Sequence, residues 1–431
     1  MARGRGRRAE IPEKVRLIQG PTGSALDHLE GSLSGRPYPA ARLIGLDPAD
    51  QRPLLARYDL ARAAKTMTRQ SLAERTAGGL WRWRELLPVQ RWESVLYLGE
   101  GWTPLQPAPR LGPNVWIKRE SLNPTGSFKA RGMAVAVSRA VELGARHLIA
   151  PSAGNAGGSL AAYAAMAGVP ATVIMPADAP EANRVEVSMT GADLLLLDGL
   201  ISDCGRLARV ISEATGAFDL STLKEPYRVE GKKTMGFEIV EQLQWRLPDA
   251  IVYPTGGGTG IVGMWKAFAE LEALGMIGSD RPRMYCVQSE GCAPIVRAFT
   301  EGARFAQPWD DAHTAAAGIR VPSAVGDFLI LDAVRESGGA AIALPESEIL
   351  SAQPRLARVG LGYASLETEA VVAGFEALTS SGAIGRADVV VLFDTGAGFK
   401  SDAPATPPSD VIPNDEAFWR EKVLPKLTRA T

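Results

Sequence analysis

The sequence predicts an α/β protein of two domains, each built on a mostly parallel sheet flanked by helices, with a ligand cleft between them. Three observations predict it. Short apolar runs alternate with amphipathic helical stretches from about Val115 onward, and glycine-rich turns recur where strands give way to helices. The chain has 431 residues, which at roughly 150 per domain leaves room for two or three domains. Strands that alternate with helices need right-handed crossovers and therefore parallel pairing.

Residues 1–75 are rich in Pro and Arg with weak periodicity and read as an extension with little core of its own. Arg3, Arg5, Arg7 and Arg8 head it without a following apolar run, so they do not make a secretory signal and read as a solvated tail. Buried strands are expected at 147–150 (HLIA), 171–175 (ATVIM), 193–197 (DLLLL), 250–254 (AIVYP), 283–288 (RMYCVQ) and 389–393 (VVVLF). Helices are expected between them at 131–144, 155–168, 230–245 and 260–275. DAPATPPSD at 402–410 reads as a Pro-rich linker leading to a short final helix.

Composition removes several functional classes. Hydrophobic residues at 46% and charged residues at 22% exclude a disordered or collagen-like chain. The net charge of −1 gives no basic field for nucleic acid or an anionic membrane. Three cysteines without a Cys-x-x-Cys and three histidines argue against a disulfide framework and a metal centre. The longest stretch without Lys, Arg, Asp or Glu, 147–177, is long enough for a bilayer, yet Pro151, Pro170, Pro176 and its glycines break a spanning helix. A cytoplasmic protein that binds neither membrane nor nucleic acid is expected.

In such sheets ligands sit beyond the carboxyl ends of strands, so the loops there carry the chemistry. Four are unusual. In ESLNPTGSFKARG (120–132), Lys129 follows a donor-rich turn and heads a helix that runs into the core. Most lysines are solvated, but one desolvated beside a helix N-terminus has its pKa lowered, which suits it to carry a Schiff base. In PSAGNAGG (151–158), Gly154 and Asn155 open a helix whose free N–H groups favour an anion; a plain N-cap with packing glycines is the alternative.

PTGGGTG (254–260) strips side chains from Gly256, Gly257 and Gly258 so that backbone N–H groups can converge on a phosphate, with Thr259 adding a hydroxyl. It matches neither the P-loop nor the dinucleotide pattern, and a glycine turn without ligand is the alternative. In LFDTGAGFK (392–400), Thr395 stands at a strand end where its hydroxyl can face a ligand or close a local turn. Together the four describe a pyridoxal phosphate site. The cofactor's aldehyde takes Lys129, its 5′-phosphate the Gly256–Thr259 cup, and its ring nitrogen Thr395.

The wording and order of these motifs resemble the fold-type II pyridoxal-phosphate enzymes, and within them the threonine synthases. LWRWRELLPV (80–89), LGEGWTPL (98–105), NPTGSFKARGM (123–133), EPYRVEGKKTMGFEI (225–239) and TGAGFK (395–400) carry the resemblance, which covers most of residues 80–400. The chain departs from that pattern at Ala130, at the GGGT cup, at Glu225 in place of Asn, and at GYASLETEA (362–370).

The resemblance implies a lyase that converts O-phospho-L-homoserine and water to L-threonine and phosphate. A threonine/serine ammonia-lyase, or another β- or γ-replacement enzyme of the same fold, is the alternative. It implies Lys129 as the cofactor lysine and proton shuttle, and Asn155 at the cofactor's ring hydroxyl. Ser152, Ala153 and Gly154 would hold the substrate carboxylate, and Arg228 would face the substrate phosphate. It also implies a homodimer acting on a small amino acid. The domains are expected as a large cofactor-binding unit from 76–129 and 221–431, and a smaller mobile one at 130–220.

Overall fold

The computed structural model describes residues 20–75, 78–358, 360, 362–401 and 411–427. The basic arm at 3–8 and the Pro-rich linker at 402–410 lie outside the described residues. Two open sheets carry the architecture. β6 (Leu148–Pro151), β7 (Ala171–Pro176), β8 (Asp193–Leu197) and β9 (Phe218–Asp219) pair in the order β8-β7-β6-β9, all parallel. The second sheet runs β12-β11-β10-β13-β5-β4 and is parallel except at its edge. Its members are β4 (Leu105–Pro107), β5 (Val115–Arg119), β10 (Ala250–Pro254), β11 (Arg283–Ser289), β12 (Ala341–Leu344) and β13 (Val390–Asp394).

Central strands β10 and β13 are buried along their whole length, as continuous apolar runs with both faces covered should be. β8 differs from the expectation of a buried strand. It pairs with β7 alone, and its edge position leaves Leu195 and Leu196 40% and 49% exposed. A run of leucines has no period that separates a covered strand from an edge.

The N-terminal segment also folds further than expected. β1 (Leu26–Gly31), β2 (Pro37–Pro39) and β3 (Leu54–Tyr58) form a three-stranded antiparallel sheet. Its Leu29, Leu54 and Ala56 join Met133, Val137 and Leu148 in one core cluster, so the segment packs into a core it shares with the helix Lys129–Glu142 and β6.

The helix Lys129–Glu142 is buried from Ala130 to Ala140 and packs against the helix Arg228–Gln242. Glycines set their approach: a Cβ at Gly132 would stand 2.9 Å from the Arg228 carbonyl, and one at Gly231 2.0 Å from that of Arg131. Arg131 locks the junction. It pairs with Glu120 at 2.6 Å and Glu238 at 2.5 Å, and Lys118 meets Glu238 at 2.7 Å, all four side chains sealed from solvent. Removing one partner from such a buried group typically costs about 3–5 kcal/mol. The turn that delivers Lys129 is therefore fixed from behind.

Candidate active site

Lys129 is the first residue of its helix and follows the turn Pro124–Gly126, where Thr125 and Gly126 take positive φ of 61° and 62°. That turn is stapled to the loop after β13. Phe128 N–H donates to the Thr395 carbonyl at 3.1 Å, Ala397 N–H donates to that of Gly126 at 2.9 Å, and Ser127 bridges Gly396. One set of backbone bonds thus brings a lysine from one end of the sequence beside a threonine from the other.

The loop after β6 closes the opposite wall. Ser152 Oγ accepts the N–H groups of Gly154 at 3.2 Å and Gly157 at 2.8 Å and donates to the Gly154 carbonyl. Its hydroxyl shapes the loop. Asn155 then begins the helix Asn155–Ala167, whose first-turn N–H groups have no intrahelical acceptor. The Asn155 Oδ1 is buried without a hydrogen-bond partner. Its Nδ2 comes within 3.2 Å of where a Cβ on Gly396 would be, so a side chain there would crowd the amide.

The third wall is the cup after β10. Gly258 has φ of +81° and caps the helix Thr259–Ala273. A Cβ would meet Gly318 O at 2.6 Å from Gly256, Thr222 Cγ2 at 2.6 Å from Gly257, and Ile330 Cδ1 at 2.3 Å from Gly258. At all three positions the surrounding protein atoms leave room only for glycine, and the loop carries no side chain there. The hydroxyls of Thr259 and Thr395 make no hydrogen bond to another described residue, and both residues line the cleft.

Lys129, Ser152, Ala153, Gly154, Asn155, the Gly256–Thr259 cup and Thr395 therefore share one open cleft. Burial, seconded by the Arg228 guanidinium, pulls the Lys129 amine down to about 7, while Glu367 opposes the shift. An amine so placed is neutral often enough to attack an aldehyde at neutral pH. Among the described residues no cluster of His, Cys, Asp and Glu could hold a metal ion, and no helix is long and apolar enough to cross a membrane.

These residues fit pyridoxal phosphate: an unpartnered buried amide, a backbone cup that side chains would fill, two unbonded hydroxyls and an amine near neutrality.

Arg228 is not brought to the cleft wall. Its side chain lies inside, with Nη1 donating to the Leu220 carbonyl at 2.6 Å and Nε and Nη2 unpartnered. Glu225 makes no ion pair with it; the carboxylate accepts the N–H groups of Tyr227 at 2.7 Å and Arg228 at 3.0 Å, capping the helix. Burial lifts Glu225 to about 7. Three further charged residues, for which the sequence predicts no site role, stand on the wall: Arg320, Glu367 and Lys400. Lys400 stood at the end of TGAGFK and Glu367 within GYASLETEA, but nothing local in the sequence aimed either one at the cleft.

A family model described as pyridoxal-phosphate dependent enzyme matches residues 96–396. A threonine synthase of Methanosarcina acetivorans is 40% identical over 74% of this chain and 79% of that protein. One of Methanocaldococcus jannaschii is 35% identical over 80% of this chain and 85% of that protein. Among solved structures, a processed threonine deaminase from Solanum lycopersicum superposes with a TM-score of 0.60 at 23% identity, covering 69% of this chain and 84% of its own, and so shares the fold. With its lysine, cup and hydroxyls held in one cleft and these matches along most of its length, the chain belongs to the pyridoxal-phosphate dependent enzyme family.

Proposed function

We propose that the protein is a pyridoxal-phosphate-dependent threonine synthase, a lyase that turns O-phospho-L-homoserine and water into L-threonine and phosphate. The observation that carries the site is the Lys129 amine, held near neutrality in a cleft it shares with the Gly256–Thr259 cup and the Thr395 hydroxyl. The two threonine synthases described above, at 35–40% identity over most of both chains, support the reaction.

When bound, the cofactor supplies an aldehyde for amines and an electron sink for charge developing on substrate carbon. Gly256, Gly257, Gly258 and Thr259 would hold its 5′-phosphate through backbone and hydroxyl donors. Asn155 would meet its ring hydroxyl, and Thr395 its ring nitrogen, where a neutral partner avoids full protonation and limits the sink. Ser152, Ala153 and Gly154 would hold the substrate carboxylate against the first turn of the Asn155 helix. Lys129, freed by the substrate amine, would move protons at Cα and then Cβ, and an amine titrating near 7 is suited to both directions. Arg228, buried outside the cleft lining with its Nε and Nη2 unpartnered, is proposed as the partner of the substrate phosphate.

Borohydride reduction of the holoenzyme followed by peptide mapping is expected to mark Lys129, and Lys129→Ala to keep the fold and lose turnover. A mark on another lysine sinks the site. Phosphate release with threonine formed from O-phospho-L-homoserine supports the synthase; 2-oxobutanoate from threonine without it would favour the ammonia-lyase. The homodimer implied by the resemblance and the cytoplasmic location expected from the composition are proposals too, open to light scattering and to fractionation of cells.

A further inference from the structure

Glu367 lies in the first turn of the helix Leu366–Ser380, on the wall of the cleft. Its Oε1 accepts the Gly318 N–H at 2.6 Å. The seat is built for it, since a Cβ on Gly318 would stand 2.8 Å from that same oxygen. Among the described residues Glu367 has no ion-pair partner.

The other charged groups around the cleft are accounted for. Lys400 Nζ is held by Glu186 at 2.6 Å and by the Thr125 carbonyl at 2.7 Å. Arg320 reaches Asp178 at 3.4 Å. Arg131 belongs to Glu120 and Glu238 behind the helix. Arg228 and Lys232 face Lys129 from the neighbouring helix, and both carry positive charge when protonated. Lys129 Nζ sits 4.3 Å from the Phe128 ring and, among the described residues, bonds to no carboxylate. A carboxylate without a cation and an amine without an anion share the cleft.

We propose that Glu367 is a positioning residue that acts through Lys129: fixed on the cleft wall by the Gly318 N–H and without a cation of its own among the described residues, it supplies the negative charge for the Lys129 amine that shares the cleft. The proposal rests on the reading of Lys129 as the cofactor lysine. Its direction agrees with the opposing effect of Glu367 on the Lys129 amine. Lowering the pKa of the amine weakens it as a base, so a charge that opposes Arg228 strengthens Lys129 in taking the proton from carbon that it later returns.

The test reads Lys129 itself. Trace acetylation of the full chain, stripped of cofactor, is followed by peptide mass spectrometry across pH. Glu367→Gln keeps an acceptor for Gly318 N–H but removes the charge. We expect its Lys129 titration midpoint to fall, so that labelling at pH 6 is about threefold faster than in the wild type, equivalent to about half a pH unit. Glu367→Asp, which keeps the charge, should stay nearer the wild type. If the Gln variant does not fold, Glu367→Ala supplies the same charge removal. An unchanged or raised midpoint in a folded, charge-free variant overturns the inference. A borohydride mark away from Lys129 would instead overturn the site reading on which it rests.

Discussion

Lys232 Nζ donates to the main-chain carbonyl of Lys129 at 3.2 Å, and it lies 5.0 Å from the Phe128 ring that Lys129 itself faces. Two lysine amines thus flank one phenylalanine, and the second has no carboxylate bonded to it. Burial, then Arg228, then Lys129, drive the Lys232 pKa well below its ordinary value, so folding favours the neutral amine. Unfolded, the same amine is protonated up to about 10.5.

The sign follows from linkage. Between the lowered folded pKa and the ordinary one, the unfolded chain binds more protons, so this group's contribution to stability rises with pH. At neutral pH Lys232 is a liability. Lys232→Met fills similar space without an amine to neutralise, and the Lys129 carbonyl keeps its intrahelical bond. We expect the variant to be more stable than the wild type at pH 7 by about 1–2 kcal/mol, the scale at which a poorly satisfied buried polar group is felt. The difference should close as pH approaches 10. Thermal melts of both proteins across that window check it; a variant that is less stable at pH 7 would mean that the bond to Lys129 outweighs the buried amine.

The cup makes a second prediction. Gly257→Asp would place a Cβ against Thr222 and a negative charge where a dianion belongs, while Thr259→Val removes a hydroxyl that no other described residue occupies. A lost hydrogen bond to a charged group costs about 1.5–3 kcal/mol, so Thr259→Val should weaken cofactor retention by roughly 10- to 100-fold. Gly257→Asp should weaken it further. Visible absorbance during cofactor titration reads both, and unchanged affinity in the pair would put the phosphate elsewhere.

How far the sequence anticipates this architecture differs from element to element. The strand expected at 250–254 is β10 at Ala250–Pro254, and the helix expected at 155–168 is Asn155–Ala167. These are long or wholly buried segments bounded by glycine turns, where period and punctuation agree. β1–β3 gave no comparable signal, because three short antiparallel strands broken by Gly31, Pro37 and Pro53 offer too few residues for an alternation to show.

Distance along the chain hid the rest. Glu367 reaches the cleft through a bond to Gly318, 49 residues away, and Thr395 reaches Lys129 through the Phe128 N–H. The first contact has no local pattern; the second was inferred only because strand ends in parallel sheets gather at one edge. The inward turn of Arg228 was equally invisible, since the segment EPYR says nothing of whether Glu225 pairs with the guanidinium or caps the helix.

That last point decides what Arg228 can do. Its Nη1 is bound to the Leu220 carbonyl, its Nε and Nη2 are buried without partners, and Glu225 spends its oxygens on backbone N–H groups. A guanidinium with two unpartnered nitrogens is a planar fork ready for an anion, and a charge-assisted pair in a buried site is stronger than a neutral bond. Glu225, lifted to about 7, carries less than its full charge at neutral pH and loses more of it in acid, so Arg228 is not quenched by direct pairing. We expect Arg228→Ala to lower kcat/KM for O-phospho-L-homoserine by about 10- to 100-fold more than for an unphosphorylated amino acid, the ratio being a difference in transition-state free energy. Arg228→Lys should fall between, because an ammonium keeps the charge and loses the fork. Equal losses for both substrates would mean that Arg228 supports the fold through Leu220, and would move the ammonia-lyase ahead of the synthase.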